Sequence, residues 1–299
     1  MNDLKHVLIL GGSGTLGVAI IEHLKINFPH VKVTVGSRSE HKHADLKKKY
    51  PHVKFILCDI RDADATYKIC HRQDLVFHVA ALKHVDILED NPVESIKTNV
   101  VGTLNVANAC SMNGVRWCMF SSTDKAVEAE NVYGHCKALS ESVLLDFNNK
   151  QLVTRFQVFR WGNVIGSQGS AIPYFIKCIH NETELNLTDT RMTRFWIRIE
   201  EAVEFMIGNH KNISNSVLIP PFMKGASVSR IINTLEFLLE KKAKINIVGL
   251  RRGEKIDESL ISQHSRFPLN SRKCQQYTDD ELKGLLFPLT KEFLKNEGL

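Results

Sequence analysis

The chain has 299 residues, of which 43% are hydrophobic and 24% are charged, a balance typical of a folded globular protein. Its formal charge of +6 comes from 39 basic and 33 acidic side chains that are spread along the chain, a pattern that does not indicate nucleic-acid binding. No apolar run approaches the ~18 residues of a membrane span, and no segment resembles a signal peptide. We therefore expect a cytoplasmic protein that binds neither nucleic acid nor membrane.

Up to about residue 160, short apolar runs alternate with amphipathic stretches. The runs predict strands at Val7–Leu10, Val31–Val35, Val53–Cys58, Leu75–His78, Arg116–Phe120 and Leu152–Arg160. The stretches between them predict helices at Thr15–Phe28, Ala44–Tyr50, Ala63–His71, Val93–Asn113 and Tyr133–Phe147. This alternation favours an α/β fold with a doubly wound parallel sheet. After residue 160 the regularity drops, which predicts a smaller and less regular second portion.

Cysteine and histidine spacing argues against a disulfide framework or a metal site. The seven cysteines are scattered and never form a C-x-x-C pair, which favours buried, reduced thiols. His41 and His43 lie in a polar stretch that we interpret as a solvated turn. We predict no bound metal.

A glycine-rich loop follows the first predicted strand and opens a predicted helix. It reads Gly11-Gly12-Ser13-Gly14-Thr15-Leu16-Gly17, which lets backbone amides approach the pyrophosphate of a dinucleotide. The second strand ends in Val35-Gly36-Ser37-Arg38-Ser39, with an arginine and no acid, which favours the 2′-phosphate of NADP with Ser37 assisting Arg38. Asp59, near the end of the third strand, is placed to meet the adenine.

A tyrosine and a lysine follow the fifth strand at helical spacing. Tyr133 and Lys137 are four residues apart, so both side chains lie on one helix face. An ammonium beside a phenol favours the phenolate, and we therefore expect Lys137 to lower the pKa of Tyr133. Together with the glycine loop, this pair indicates a nucleotide-dependent enzyme.

With these motifs the sequence resembles the extended short-chain dehydrogenase/reductases. Within them it is similar to the soluble, inverting UDP-N-acetylglucosamine 4,6-dehydratase branch of the polysaccharide-biosynthesis CapD-like family. The most specific runs are A-L-K-H-V at 81–85, S-T-D-K-A at 122–126 and R-M-T-R-F-W at 191–196. The chain departs from the family pattern at Trp161 and Arg252, where tyrosine and proline are usual.

The resemblance implies a Rossmann-type NADP-binding domain at 1–160, which carries the catalytic residues, and a mainly substrate-binding portion at 161–299, parts of which could rejoin the first sheet. It implies that Tyr133 and the nicotinamide oxidise the sugar at C4. Lys125 then takes the C5 proton, Asp124 helps the C6 hydroxyl leave, and the hydride returns to C6 with inversion at C5. A homo-oligomer is expected through the helices at Val93–Asn113 and Tyr133–Phe147.

The resemblance also implies three sets of site residues. The catalytic set is Thr123, Asp124, Lys125, Tyr133 and Lys137. The cofactor-binding set is Gly11, Ser13, Gly14, Thr15, Leu16, Gly17, Ser37, Arg38, Asp59, Ile60, Ala80, Ala81, Lys83, Asn99, Tyr133 and Lys137. The substrate-binding set is Lys83, His84, Ser122, Asn163, Arg194, Arg251 and Glu254.

Three alternatives stay open at this point. A nucleotide-sugar C4 epimerase shares the glycine loop and the Tyr133/Lys137 pair, but it has no use for a second base at Lys125. A non-catalytic NADP-binding regulator would need none of the catalytic set. UDP-glucose remains possible as the substrate of a dehydratase.

Overall fold

The structure is a computed structural model, and it describes residues 3–150, 153–167, 169–212 and 216–296. The chain forms two compact units. Unit 1 comprises Met1–Arg160 and Val203–Ile219, and unit 2 comprises Trp161–Ala202 and Pro220–Leu299. Leu152, the predicted start of the sixth strand, lies outside the described residues.

Unit 1 is built on a seven-stranded parallel sheet, in the order β10-β6-β5-β4-β1-β2-β3. The predicted doubly wound parallel sheet is confirmed. The strand order reverses between β1 and β4, and in such sheets ligands bind outside the carboxyl ends of the strands at that point. Numbered in chain order, the strands are β1 His6–Leu10, β2 Lys32–Ser37, β3 Lys54–Leu57, β4 Leu75–His78, β5 Trp117–Ser121, β6 Arg155–Phe159 and β10 Val217–Leu218.

The helices of unit 1 follow the predicted ones closely, with two additions. The six-residue α4 was not predicted, and the long fourth helix contains a π-helical stretch at Ile96–Val101. The helices are α1 Thr15–Asn27, α2 Glu40–Lys49, α3 Ala63–Cys70, α4 Val85–Asp90, α5 Pro92–Ser95, α6 Gly102–Met112 and α7 Val132–Lys150.

The interpretation of His41 and His43 as part of a solvated turn was wrong. Helix α2 begins at Glu40 because the Ser39 hydroxyl accepts a hydrogen bond from the Lys42 amide, which caps the first turn. His43 is buried, and its ring centroid lies 5.3 Å from that of Phe55.

The core of unit 1 lies between the sheet and its helices and contains most of the cysteines. Cys58, Cys70, Cys110 and Cys118 belong to one buried apolar cluster with Leu8, Val76 and Phe120. All seven thiols are free, as predicted, although Cys274 in unit 2 is only partly buried.

Unit 2 has its own core and three small sheets, β11-β9-β7, β12-β8 and β13-β14. Helices α8, α10 and α11 pack around a buried cluster that includes Trp196 and Ile231. Helix α9 begins in unit 2 and ends in unit 1. The elements are β7 Asn163–Val164, α8 Ala171–His180, β8 Glu184–Leu187, β9 Thr193–Ile197, α9 Ile199–Gly208, β11 Lys224–Ser227, α10 Val228–Leu239, β12 Lys244–Ile247, β13 Ser259–Ile261, β14 Leu269–Asn270 and α11 Asp279–Asn296.

Among the described residues, no helix combines the length and the apolar character that crossing a membrane requires. Over the same ranges, no three histidine, cysteine or acidic side chains are grouped so that they could hold a metal ion.

Candidate active site

The glycine loop lets the backbone pack where a side chain would not fit. Gly11 has a positive φ of 84°, and a Cβ there would lie 2.6 Å from the Cα atom of Ala80. A Cβ at Gly17 would lie 2.4 Å from the Cα atom of Gly12. Gly14 precedes α1 and has no side chain that could cap its first turn. The amides of that turn can therefore face an anion, and the loop fits the pyrophosphate of a dinucleotide.

The end of β2 presents a hydroxyl and a guanidinium and no carboxylate. The Ser37 hydroxyl forms hydrogen bonds with the Ser13 hydroxyl, at 2.8 Å, and with Nε2 of His43, at 2.5 Å. Arg38 follows with an exposed side chain, and no carboxylate stands in Val35–Ser39. Hydroxyl and guanidinium groups are donors for an anion, whereas a ribose diol calls for a carboxylate acceptor.

Asp59 and Ile60 make contacts within the protein at the next strand end. The carboxylate of Asp59 pairs with the Arg61 guanidinium at 2.6 Å. Burial raises the pKa of Asp59, but hydrogen bonds from Arg61 outweigh this and hold it below its usual value. The Ile60 side chain packs on Gly102, where a Cβ would lie 2.7 Å from Cδ1 of Ile60. Their predicted contacts with the cofactor stay predictions.

Asn99 fixes the loop that follows β4. Its Oδ1 accepts a hydrogen bond from the Leu82 amide and its Nδ2 donates to the Leu82 carbonyl, both at 2.9 Å. Asn99 lies in the π-helical stretch, and its own carbonyl accepts bonds from the hydroxyls of Thr103, at 2.6 Å, and Ser140, at 2.7 Å. The side chain therefore holds the loop of predicted ligands, which contains Ala80, Ala81, Lys83 and His84.

Asp124 and Lys125 form an ion pair on a 3₁₀ turn, Asp124–Ala126, which begins three residues after the end of β5; Asp124 is buried and the Lys125 side chain is 21% exposed. Oδ1 of Asp124 accepts hydrogen bonds from the Thr123 hydroxyl at 2.9 Å and from Nζ of Lys125 at 3.1 Å. The Asp124 side chain is fully buried, and its Oδ2 has no hydrogen-bond partner among the described residues. A buried carboxylate oxygen without a partner is costly, which is typical of a group kept for function.

Helix α7 touches this turn at its first residues. The Asn131 side chain accepts a hydrogen bond from the Gly134 amide at 2.8 Å, and Glu89 accepts one from the Val132 amide at 2.6 Å. A Cβ at Gly134 would lie 2.3 Å from the carbonyl oxygen of Lys125. Only glycine allows this approach, which brings Tyr133 beside the turn. Gly134 was not predicted as a site residue, although its place directly after Tyr133 was a signal.

The expected effect of Lys137 on Tyr133 was wrong. Burial is the largest influence on Tyr133 and raises its pKa to about 12. The Lys125 ammonium lowers this pKa, the Asp124 carboxylate raises it, and a hydrogen bond with Thr123 lowers it. Nζ of Lys137 instead donates to the Ser121 carbonyl at 2.5 Å. The cation that favours the phenolate is thus Lys125.

Burial also shifts the pKa of Lys137. Its side chain is 2% exposed, and Nζ lies 3.8 Å from the centroid of the Phe120 ring. Burial lowers the pKa of Lys137 to about 7, although the Glu141 carboxylate raises it. The charge of Lys137 therefore depends on its neighbours.

Ser122 is engaged inside the protein. Its hydroxyl donates a short hydrogen bond to Oε1 of Glu141, and Nε of Arg160 lies 3.0 Å from both oxygens of the same carboxylate. Glu141 is buried. Neither Glu141 nor Arg160 was predicted as a site residue. The predicted contact of Ser122 with substrate stays a prediction.

Unit 2 holds the remaining predicted substrate ligands. The Arg194 guanidinium is buried and donates to the backbone carbonyls of Thr193, Lys255 and Ile256 at 2.7 to 2.9 Å. Arg194 thereby fastens the segment that follows Arg251 and Glu254. The Glu254 carboxylate accepts a bond from the Arg251 amide at 3.1 Å, and the Arg251 side chain is exposed. Asn163 lies in β7, opposite Trp196.

Comparison with known proteins gives the chain a family. The sequence model of a family described as "Polysaccharide biosynthesis protein" matches residues 7–277. Over 269 residues the chain is 39% identical to the UDP-N-acetylglucosamine 4,6-dehydratase (inverting) of Campylobacter jejuni serotype O:2, covering 88% of this chain and 79% of that one. It is 34% identical to a UDP-glucose 4-epimerase of Rickettsia bellii, covering 86% of this chain and 78% of the relative.

A solved structure agrees with this result along nearly the whole chain. The X-ray structure of Pen from Bacillus thuringiensis has a TM-score of 0.89 and 28% identity, covering 98% of this chain and 99% of the other. The resemblance predicted from the motifs is confirmed. The chain belongs to the polysaccharide biosynthesis protein family, within the extended short-chain dehydrogenase/reductases.

Proposed function

We propose that this chain is an NADP-dependent UDP-N-acetylglucosamine 4,6-dehydratase that inverts the configuration at C5. The observation that carries the proposal is the ion pair between the buried Asp124 and the partly exposed Lys125, beside Tyr133. An enzyme that only oxidises C4 needs one base, whereas a dehydratase needs a second base and an acid for C5 and C6. The Campylobacter relative named for this activity supports the same choice.

The first step needs a base at the C4 hydroxyl. Tyr133 is the candidate, and its pKa of about 12 keeps it a phenol in the protein alone. The Lys125 ammonium and the hydrogen bond with Thr123 both favour its ionisation, so the positive charge is where the phenolate forms. A bound nicotinamide dinucleotide would supply the reversible redox chemistry at C4 and C6.

The elimination step needs a base and an acid at once. Nζ of Lys125 is 3.1 Å from Oδ1 of Asp124, so one proton moving along this hydrogen bond turns an ammonium and a carboxylate into an amine and a carboxylic acid. The Lys125 amine then takes the C5 proton, and the Asp124 acid protonates the departing C6 hydroxyl.

The choice of NADP over NAD is supported by Arg38 and Ser37. Arg38 is the single charged side chain within Val35–Ser39, and Ser37 is tied to Ser13 of the glycine loop. An exposed guanidinium pairs well with a phosphate dianion, whereas NAD enzymes use an acid at this position. We assign Arg38 and Ser37 to the 2′-phosphate.

A homo-oligomer is supported by apolar side chains on the helices expected to pair. Between 39% and 59% of each of these side chains is exposed: Val93, Ile96, Val101, Leu104 and Leu139. Such residues on neighbouring helices favour burial against a second copy. We propose a dimer that uses the helix from α5 through the π-helical stretch to α6, together with α7.

Two other activities are outcomes of the same assay. The protein is incubated with UDP-N-acetylglucosamine, and the products are weighed by mass spectrometry and separated. A product lighter by one water supports the dehydratase. An unchanged mass with a new hexosamine supports an epimerase, the activity for which the Rickettsia relative is named. Turnover of UDP-glucose alone would change the substrate assignment, and no turnover would favour the regulator.

A further inference from the structure

Glu141 lies on α7 four residues beyond Lys137 and eight beyond Tyr133, on the same face of the helix. Its carboxylate is 3% exposed. We propose that Glu141 is a positioning residue that ties the Ser122–Lys125 turn to α7, on the helix face that carries Lys137. Only the kinetic test of this inference rests on the proposed function.

The Glu141 carboxylate joins three elements of unit 1. It accepts the Ser122 hydroxyl from the end of β5 and the Arg160 guanidinium from the end of β6. The Ser122 amide donates to the carbonyl of Phe159 at 2.7 Å, so the ends of β5 and β6 are also joined by the backbone. Ser122 directly precedes Thr123, Asp124 and Lys125. A shift of Glu141 would therefore move the acid and the base relative to Tyr133.

The charge of Glu141 acts on Lys137 as well. Burial lowers the pKa of Lys137 to about 7, and the Glu141 carboxylate raises it. The other groups that face Lys137 are His78 of β4, Cys136 of α7 and the Phe120 ring of β5. His78 is fully buried, and burial lowers its pKa to about 3, so it stays neutral and does not repel the Lys137 ammonium.

Removing the Glu141 charge should therefore act on Lys137 in a known direction. Without a neighbouring negative charge the ammonium is less stable, so its pKa falls and the cation is lost at a lower pH. In a positioning role Ser122 should also matter for the rate rather than for binding. A direct substrate contact by Ser122 would instead change KM.

The deciding experiment follows the ¹³Cε resonance of Lys137 through a pH titration, with the resonance assigned by its absence in Lys137→Met. In Glu141→Gln, we expect the midpoint to lie about one pH unit below that of the wild type. Asp146→Asn, which removes an exposed carboxylate from the same helix, is the control and should leave it unchanged. An unchanged midpoint in folded Glu141→Gln would overturn the proposal.

A second variant keeps the test decisive if Glu141→Gln fails to fold, since removing one partner of a buried ion pair is costly. Ser122→Ala leaves Glu141 and Arg160 paired. We expect it to lower kcat at least about tenfold with little change in KM, since a small misplacement of catalytic groups is costly. Ser142→Ala, an exposed hydroxyl on α7, is its control. A higher KM with normal kcat would overturn the positioning role.

The titration and the kinetic test together distinguish a failure of this inference from a failure of the proposed function. The Lys137 titration needs no substrate, so its outcome stands whether or not the protein dehydrates UDP-N-acetylglucosamine. If the wild type has no turnover, the dehydratase assignment fails, and the titration still tests whether the Glu141 carboxylate stands beside Lys137.

Discussion

The backbone of Gly134 approaches the carbonyl oxygen of Lys125 so closely that a Cβ at position 134 would lie 2.3 Å from it. This contact joins the first turn of α7 to the turn that carries Asp124 and Lys125. The tyrosine and the acid–base pair therefore share one rigid arrangement within unit 1.

Gly134→Ala should disrupt this arrangement. A methyl group there must displace backbone atoms, which costs about 1–3 kcal/mol of unfolding free energy and misplaces Tyr133. Denaturant unfolding and kcat measure the two effects. Gly284→Ala is the control because a Cβ there meets nothing within 4 Å, and it should be neutral or slightly stabilising in α11. Normal stability and kcat in Gly134→Ala would contradict the close contact.

Lys125→Ala should slow the oxidation of C4, because it removes the cation that favours the Tyr133 phenolate, and should then stop the reaction before elimination. Loss of the second base lowers the elimination rate by about 10²–10⁴-fold, the usual contribution of a general base. Stopped-flow absorbance should then show reduced cofactor accumulating on mixing with substrate, while Tyr133→Phe should show none. In a true epimerase Lys125→Ala would slow only the oxidation, so turnover would continue without a build-up of reduced cofactor, and that outcome would remove the dehydratase assignment.

Arg38→Ala should weaken NADP⁺ binding and leave NAD⁺ binding nearly unchanged. The loss of a charged hydrogen bond of about 1.5–3 kcal/mol corresponds to roughly 10–100-fold in affinity for NADP⁺. Isothermal titration calorimetry on both cofactors measures the difference. Lys48→Ala, an exposed cation on α2, is the control. Equal losses for both cofactors would mean that Arg38 does not read the 2′-phosphate.

The buried Lys137 should make stability depend on pH. Its folded pKa of about 7 lies below its ordinary value of 10.5, so the unfolded chain binds more protons between these values. The contribution of Lys137 to the free energy of unfolding is therefore fully present above pH 10.5 and is lost as the pH falls through about 7. Urea unfolding across this window should show a rise with pH that Lys137→Met reduces. An identical slope in the two proteins would contradict a depressed pKa.

Local patterns predicted the fold and part of the candidate site. Helical and strand periodicity located the parallel sheet, and the glycines at 11, 14 and 17 marked the close turn. Tyr133 and Lys137 were found because their spacing is local. Helix α4 was missed because six residues carry too little periodicity.

Contacts between residues far apart in the chain could not be predicted from the sequence. Nothing near Glu141 indicates that it meets Ser122 and Arg160, which come from two other strand ends. From its residue type, Arg194 was predicted to be a ligand for substrate phosphate. In the structure its guanidinium donates hydrogen bonds to backbone carbonyls 61 and 62 residues further along the chain. The pKa of Tyr133 depends on burial, which no spacing rule supplies.

The most direct test of the central claim is turnover of UDP-N-acetylglucosamine in deuterated water, followed by NMR and mass spectrometry. A C5 proton taken by Lys125 exchanges with solvent, so we predict a 4-keto-6-deoxy product with deuterium at C5 and the L-arabino configuration. A product of unchanged composition that differs only at C4, with no deuterium at C5, would contradict it.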